Sequence, residues 1–255
     1  MNHGDRRSRD LRRLEEAQSR SQERMAYEQE RLNQRFDKMR ERLTKKYGET
    51  SDSQQRIIEA ALELLSEDGL NNLSLRKLAT KVDMKAPALY WHFSSKDVLV
   101  DYMAEAILQR EFNDLQPNSA KANWQDWLNE QMLKLRKAML AYPDGARVVA
   151  GAHLQPAVTL GKLFETILAV LEESGMAIDK ARHVLMTAST YTFGFVIEEQ
   201  SSPSPEEVNM LNLDAFKSSY PHIVKVMQEA HKKPRDLDQD YKIGLSYIIN
   251  GVEKA

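Results

Sequence analysis

Apolar residues recur every three or four positions along most of this chain, and no stretch holds the strict two-residue alternation of a half-buried strand. The spacing therefore predicts helices throughout. Over 54–68, Ile57, Ile58, Ala61, Leu62, Leu64 and Leu65 form a broad apolar face, and Gly69 follows as the residue that ends the helix. Ser51-Asp-Ser-Gln54 offers a capping-box-like start. A short helix over 75–82 buries Leu75, Leu78, Ala79 and Val82 behind Ser74, whose hydroxyl suits an N-cap. Asp83 and Met84 make a turn. A second short helix covers 85–92, with Pro87 tolerated in its first turn, where N–H groups have no intrahelical partner. Ser94 or Ser95 then caps a longer helix to about 115, which Gln116-Pro-Asn-Ser119 breaks. Further helices fall at 124–142, 158–174, 179–200, 214–232 and 236–252, with a short segment at 146–154 and a loop at Ser201-Ser-Pro-Ser-Pro205.

Residues 5–46 contain no Gly or Pro and are dense in Arg, Glu and Gln, a composition that favours one long helix. Leu11, Met25, Leu32 and Met39 share one seven-residue register, interrupted by Gln18, and Leu14, Phe36 and Leu43 widen the stripe. A continuous helix of about 40 residues would span about 60 Å. The segment reads either as a helix that buries this stripe in protein, as an arm on DNA, or as a solvated tail. The domain division expected from the pattern is a charged extension over 1–48, a small helical bundle over 51–97 and a larger helical domain over 98–255.

Composition changes the picture in three ways. The 255 residues include 10 Gly and 8 Pro, and 29% are charged, which suits an all-α chain large enough for two domains. The chain has no Cys, so disulfides, thiolate metal sites and cysteine nucleophiles are excluded. The net charge of −2 hides an asymmetry: residues 1–50 hold 14 Lys/Arg against 10 Asp/Glu, and the rest hold 22 against 28. A nucleic-acid reader needs only one positive face, so an acidic body behind a small head is compatible with DNA. No apolar run reaches the roughly 18 residues of a membrane span, and no signal peptide is visible, so a cytoplasmic protein is expected. The six His (3, 92, 153, 183, 222, 231) show no metalloprotease spacing, so neither an enzyme nor a metal or cofactor site is expected.

The two short helices at 75–82 and 85–92 have the form of a helix-turn-helix, whose second helix enters the major groove. By itself the pattern also fits an ordinary helical hairpin with core aromatics. The stretches ALELLSEDGLNNLSLRKLA and PALYWHFSSKDVL are more specific: they resemble the DNA-binding domain of the Tet repressor (TetR) family. The resemblance continues through Trp124-Gln-Asp-Trp127, Asp144-Gly-Ala146, Thr192-Phe-Gly194 with Glu198-Glu-Gln200, and Ile243-Gly-Leu245 with 248–254, so it covers about 200 residues and stops short of the extension.

The resemblance implies a ligand-responsive repressor that binds a palindromic operator on double-stranded DNA as a homodimer and is released by a small inducer. It places Leu75 and Arg76 at the start of the first helix of the motif and Ala86, Pro87, Ala88, Tyr90 and His92 on the reading helix. Arg76 suits a guanine edge, while Tyr90, His92 and Lys96 suit phosphates. Lys85 is either a phosphate contact or a solvated charge. Ala86 and Ala88 stand where tetracycline repressors hold longer polar side chains, so the operator is expected to differ. The ligand positions implied are Phe112, Gln131, Leu135, Val149, His153, Ile167, Leu185 and Met186. Phe112 and Val149 replace the imidazoles that hold a tetracycline–Mg²⁺ chelate, so a metal-free, largely apolar inducer is expected, with Gln131 and His153 as polar handles. The homodimer is expected through 179–200 and 236–252. There the small residues Ala188, Thr192, Gly194, Gly244 and Gly251 let helices approach, and Phe193, Phe195, Ile197, Leu245, Ile248 and Ile249 add apolar area. The other class of function compatible with the sequence is a helical assembly or adaptor protein whose N-terminal coil recruits a partner, with DNA binding secondary.

Overall fold

The computed structural model describes residues 52–115, 123–201, 213–231 and 236–252, plus seven positions between Arg20 and Lys38. Those seven (Arg20, Glu23, Tyr27, Glu30, Arg31, Gln34 and Lys38) are helical and exposed, and the apolar stripe from Leu11 to Leu43 lies outside the described residues, as does the Ser51 cap.

The first helix, α1 (Asp52–Asn72), buries Ile57, Ile58, Ala61, Leu62, Leu64 and Leu65, the face the spacing predicts. Gly69 interrupts it with φ 73° and ψ 170°, a region open essentially to glycine alone. Helix α2 (Leu75–Lys81) starts at Ser74, whose Oγ accepts from Lys77 N at 3.2 Å. The turn holds Asp83 at φ 52°. Helix α3 (Ala86–His92) carries its proline in the first turn and buries Leu89. Ser95, not Ser94, caps α4 (Lys96–Phe112) by accepting from Val98 N at 3.2 Å. Lys77 and Lys81 pair with acids of α1: Lys77 with Asp68 at 3.0 Å, Lys81 with Glu67 at 2.9 Å and Glu63 at 3.2 Å. The hydrogen bond to Glu67 raises the Lys81 pKa.

The body comprises α5 (Trp124–Leu140), α6 (Gly145–Ala150), α7 (Val158–Glu173), α8 (Ile178–Gln200), α9 (Leu213–Ser219), α10 (Pro221–His231) and α11 (Leu237–Val252). From residue 52 onward the described residues form eleven helices, and no strand is present among the described residues. The single helix expected over 214–232 is two, because Pro221 restarts the chain at Tyr220: a proline belongs at a helix start and cannot donate within one. Helix α4 is the strut. It packs on α1 at one end and on α5, α6 and α7 along its length. Two carboxylates one turn apart fasten it to the segment before α7 and to the first turn of α7. Buried Asp101 accepts from His153 N at 2.9 Å and faces its Nδ1 at 3.1 Å, and Glu105 accepts from Thr159 N at 2.8 Å and Oγ1 at 2.9 Å. The second pair also neutralises the helix start, where N–H groups point outward.

A knot of aromatics and one guanidinium joins α5, α8 and α11. Tyr241 is wholly buried, stacks on Tyr191 with centroids 5.5 Å apart, and lies 2.8 Å from Thr192 Oγ1 through its hydroxyl, which donates to Met132 O at 3.2 Å. Burial drives its pKa up. Arg136 sits 5.2 Å from the Tyr241 ring centroid and 5.9 Å from that of Phe195.

Candidate DNA interface and ligand cavity

The head presents its candidate residues unevenly. Arg76, Lys85, Pro87 and Tyr90 are exposed, while Ala86, Ala88, His92 and Lys96 are half-buried. Leu75 is buried in the head core, so its side chain packs and only its place at the start of α2 remains on the candidate face. Lys96 donates to Leu70 O at 2.9 Å, which ties α4 to the end of α1. Trp91, which the sequence reading left out, is the most exposed large apolar side chain described, at 90%. The signal was present in the YWH triplet: three consecutive helical residues cannot all point inward.

A joint connects this head to the body. Leu70 N donates to Asp144 Oδ2 at 2.8 Å, and Arg147 donates to Asn71 Oδ1 at 3.2 Å and to Asp144 Oδ1 at 3.2 Å. Asp144 reaches this position through a left-handed backbone, φ 58°. The next residue but one, Ala146, donates to Gln200 Oε1 at 3.1 Å, and Gln200 Nε2 donates to Met139 O at 3.1 Å and Tyr142 O at 2.8 Å. The amide of Gln200 thus closes the end of α5 and the start of α6 from the far end of α8. Nothing in the helix-forming pattern pointed to this linkage, whose bonds between head and body and onto Gln200 join residues 54 to 76 apart in sequence.

The candidate ligand residues differ in where the single chain places them. Phe112 and Gln131 meet at a cavity of about 370 Å³ between the end of α4 and α5, with Trp127 and Leu115 beside them and Glu130 and Lys134 among the polar residues at its edge. Leu135, Val149, Ile167 and Leu185 are packed in the core. His153 is exposed and held by Asp101, while Met186 is half-exposed on the outer side of α8. Adjacent helical residues point about 100° apart, so Leu185 inside sends Met186 outward. Gln131 is 2% exposed and its Oε1 has no hydrogen-bond partner.

The expected dimer residues also divide. Ala188, Thr192, Leu245 and Ile249 are buried within the chain, and a Cβ at Gly244 would collide with the Tyr191 hydroxyl. These serve the fold of one protomer. Gly194 and Gly251 are exposed with nothing within 4 Å of a Cβ position, and Met186, Ile243 and Tyr247 are exposed nearby on α8 and α11.

Comparison with known proteins matches these two parts to two family models. Residues 57–103 match the bacterial regulatory proteins of the tetR family, and residues 116–255 match the tetracyclin repressor-like C-terminal domain. The chain belongs to the TetR family, whose members are transcriptional regulators. It is 34% identical over 203 residues to the class C tetracycline repressor protein of Escherichia coli, a match covering 79% of this chain and 90% of that protein. Among solved structures, a possible TetR family transcriptional regulator from Streptomyces coelicolor A3(2) superposes with a TM-score of 0.66 at 27% identity, covering 78% of this chain and 98% of that one. A Q116A variant of TetR from Acinetobacter baumannii AYE, in complex with minocycline, gives 0.59 at 30% identity, covering 81% and 98%.

Proposed function

We propose that the chain is a ligand-responsive repressor that binds a palindromic operator as a homodimer and lets go when a small molecule enters its body. It divides into a reader over 51–97 and an effector and dimerisation domain over 98–255, with 1–48 as an appendage. The observation that carries the reading is the exposed edge formed by Arg76 at the start of α2 and Lys85, Pro87 and Tyr90 on and before α3. Neighbouring Lys77 and Lys81 are paired with α1 acids, so they add little to that edge. Arg76 can donate two bonds to guanine O6 and N7, Tyr90, His92 and Lys96 suit phosphates that fix the register, and Lys85 is either a further phosphate contact or a solvated charge. Ala86 and Ala88 touch thymine methyls and donate to no base. The chain works by binding, not catalysis, and in the cytoplasm. Its DNA partner supports that location, and no described helix is long and apolar enough to cross a membrane.

Arg76→Ala is the direct test. It is expected to weaken operator binding by about 1–3 kcal/mol and to relax preference at one base pair in each half-site. Titrations on selected operator fragments and on random DNA check this. An equal loss on both would make Arg76 a phosphate contact.

The dimer rests on the outward faces of α8 and α11. Gly194→Leu or Gly251→Leu adds bulk where the single chain offers open space. The protomer fold is expected to be intact, and the dimer to weaken by about 1–3 kcal/mol, or about 5- to 150-fold in dissociation constant. Sedimentation velocity across a dilution series reads this. A variant as dimeric as the wild type at nanomolar protein puts the interface elsewhere.

A further inference from the structure

We propose that the extension over 5–46 is a DNA-tracking arm whose basic face lies along the phosphates flanking each operator half-site. The inference rests on reading the chain as an operator-binding protein, and it adds to the reader a second contact surface that is indifferent to base sequence.

Drawn on a helix at about 100° per residue, the charges of this segment separate. Ten of its fourteen Lys/Arg, from Arg6 to Lys45, fall in an arc of about 80° that contains no Asp or Glu. Seven of its nine acids fall in a second arc of about 100°, and the apolar stripe from Leu11 to Leu43 occupies a third, roughly 120° from the basic one. The described positions sample two of these faces. Arg20, Tyr27, Arg31 and Lys38 fall on the basic one, Glu23 and Glu30 on the acidic one, and all six are helical and exposed. A solvated helix gains by interleaving opposite charges four residues apart. Here Arg9–Arg13, Arg20–Arg24, Arg31–Arg35 and Lys38–Arg42 are like-charge pairs at that spacing, which oppose an isolated helix. A polyanion along the stripe reverses the sign of that effect, and the acids, on another face, point clear of it.

The head receives the extension at the edge where phosphates are expected. Gln54, in the first turn of α1, is buried, and its Nε2 donates to the carbonyl of His92, the last residue of α3, at 3.5 Å. The chain therefore enters α1 beside the end of the reading helix that carries Tyr90 and His92, the candidate phosphate contacts. Lys77 and Lys81 of the head are paired with acids of α1, so a basic arm adds what those lysines do not. From Arg6 to Lys45 a helix covers about 58 Å, the length of about 17 base pairs. DNA contact through the basic face leaves the apolar stripe, a third of a turn away, turned toward protein.

The test compares the full-length wild type with two variants that each lose three charges per protomer. Arg20→Gln, Arg31→Gln, Lys38→Gln thins the basic face, and Arg7→Gln, Arg12→Gln, Arg40→Gln removes arginines outside it. Each protein is titrated over a salt series on a selected operator trimmed to its half-sites, and on the same operator with about 20 base pairs added on each side. The wild type is expected to bind the extended fragment at least about tenfold more tightly. The basic-face variant is expected to lose most of that preference. Its salt slope on the extended fragment is expected to fall by up to about 5, the value for six phosphates per dimer at about 0.9 each. The matched variant is expected to keep its preference and a slope within about 1 of the wild type. Equal wild-type affinities for the two fragments, or equal losses in the two variants, would overturn the proposal. So would a basic-face variant that keeps the wild-type slope but sediments as a smaller species, which would assign that face to pairing between copies. Preference for operator over random DNA is scored separately on trimmed fragments. Preference there with no gain from the flanks would keep the operator reading and remove the arm. A gain from added length on random DNA, with no preference for operator, would keep the arm and remove the operator reading.

Discussion

Arg136→Met is expected to destabilise the body by about 3–5 kcal/mol, the cost of leaving the other half of a buried ion pair alone. The guanidinium lies between three helices. Its Nε and Nη2 donate to the two carboxylate oxygens of Glu199 at 3.0 and 2.7 Å, and Nη1 donates to Asp238 at 2.6 Å. The Arg136 side chain is 8% exposed and Glu199 13%, while Asp238 is 70% exposed. The effect therefore concentrates at Glu199, since water can replace the arginine around Asp238. Burial by itself pulls the Arg136 pKa down, but the bonds from Glu199 and Asp238 outweigh it and the net shift is upward, so the group is firmly charged. Methionine retains the packing over Tyr241 but gives Glu199 no donor. The double variant Arg136→Met, Glu199→Leu removes both charges and is expected to recover all but about 1 kcal/mol, because apolar replacement of a whole buried pair is often neutral. Urea unfolding at one fixed protomer concentration measures all three proteins, since dimerisation makes stability concentration-dependent. A double variant as unstable as the single would assign the loss to the rings of Tyr241 and Phe195 and not to the stranded carboxylate.

The helices of this chain could be read from local spacing because their causes are local. Ser74 caps α2 through the N–H three residues on, and Leu78 and Ala79 bury on the face their period assigns. Gly69 ends the regular part of α1 as its type suggests, whereas Pro221 starts a new helix and divides the one expected over 214–232, and Val82, expected on the buried face, is the half-buried C-cap of α2. The binding residues were harder because alignment gives a position and not a direction. Phe112 and Gln131 do meet at the cavity, but Met186 and His153 face solvent in a single chain, a difference that a 100° step along a helix or one loop is enough to produce. The Arg136 knot was not legible for a different reason. Its partners are 63 and 102 residues away, and an arginine in an amphipathic helix reads as a solvated charge until the tertiary fold places carboxylates around it. The orphan oxygen of Gln131 likewise becomes visible only when every neighbour is in place.

Gly145→Ala is expected to cost about 3 kcal/mol, the upper end of the range for overpacking, and to loosen the head from the body. A Cβ at Gly145 would overlap the backbone carbonyl of Met139, the last turn of α5. A flexible side chain could swing aside; a helix carbonyl cannot move without its helix. The strain must therefore lift the start of α6, and two bonds lie on either side of it. Asp144 would leave Leu70 N, now 2.8 Å away, and Ala146 would leave Gln200 Oε1, now 3.1 Å away. The first of these joins the reader to the effector domain, so the variant is expected to lose operator affinity as well as stability. Asp144→Asn provides the control. Its amide oxygen can still accept from Leu70 N, and Asn tolerates the left-handed backbone that residue 144 adopts, so it is expected to fall within about 1 kcal/mol of the wild type. For a domain of this size, 3 kcal/mol corresponds to a drop in melting temperature of roughly 6–12 °C. Thermal melts and operator titrations on both variants separate the outcomes. A Gly145→Ala protein that melts with the wild type would mean that the α5–α6 corner yields freely. One that melts early but binds operator with full affinity would mean that the Leu70–Asp144 bond holds the fold together without transmitting anything to the DNA face.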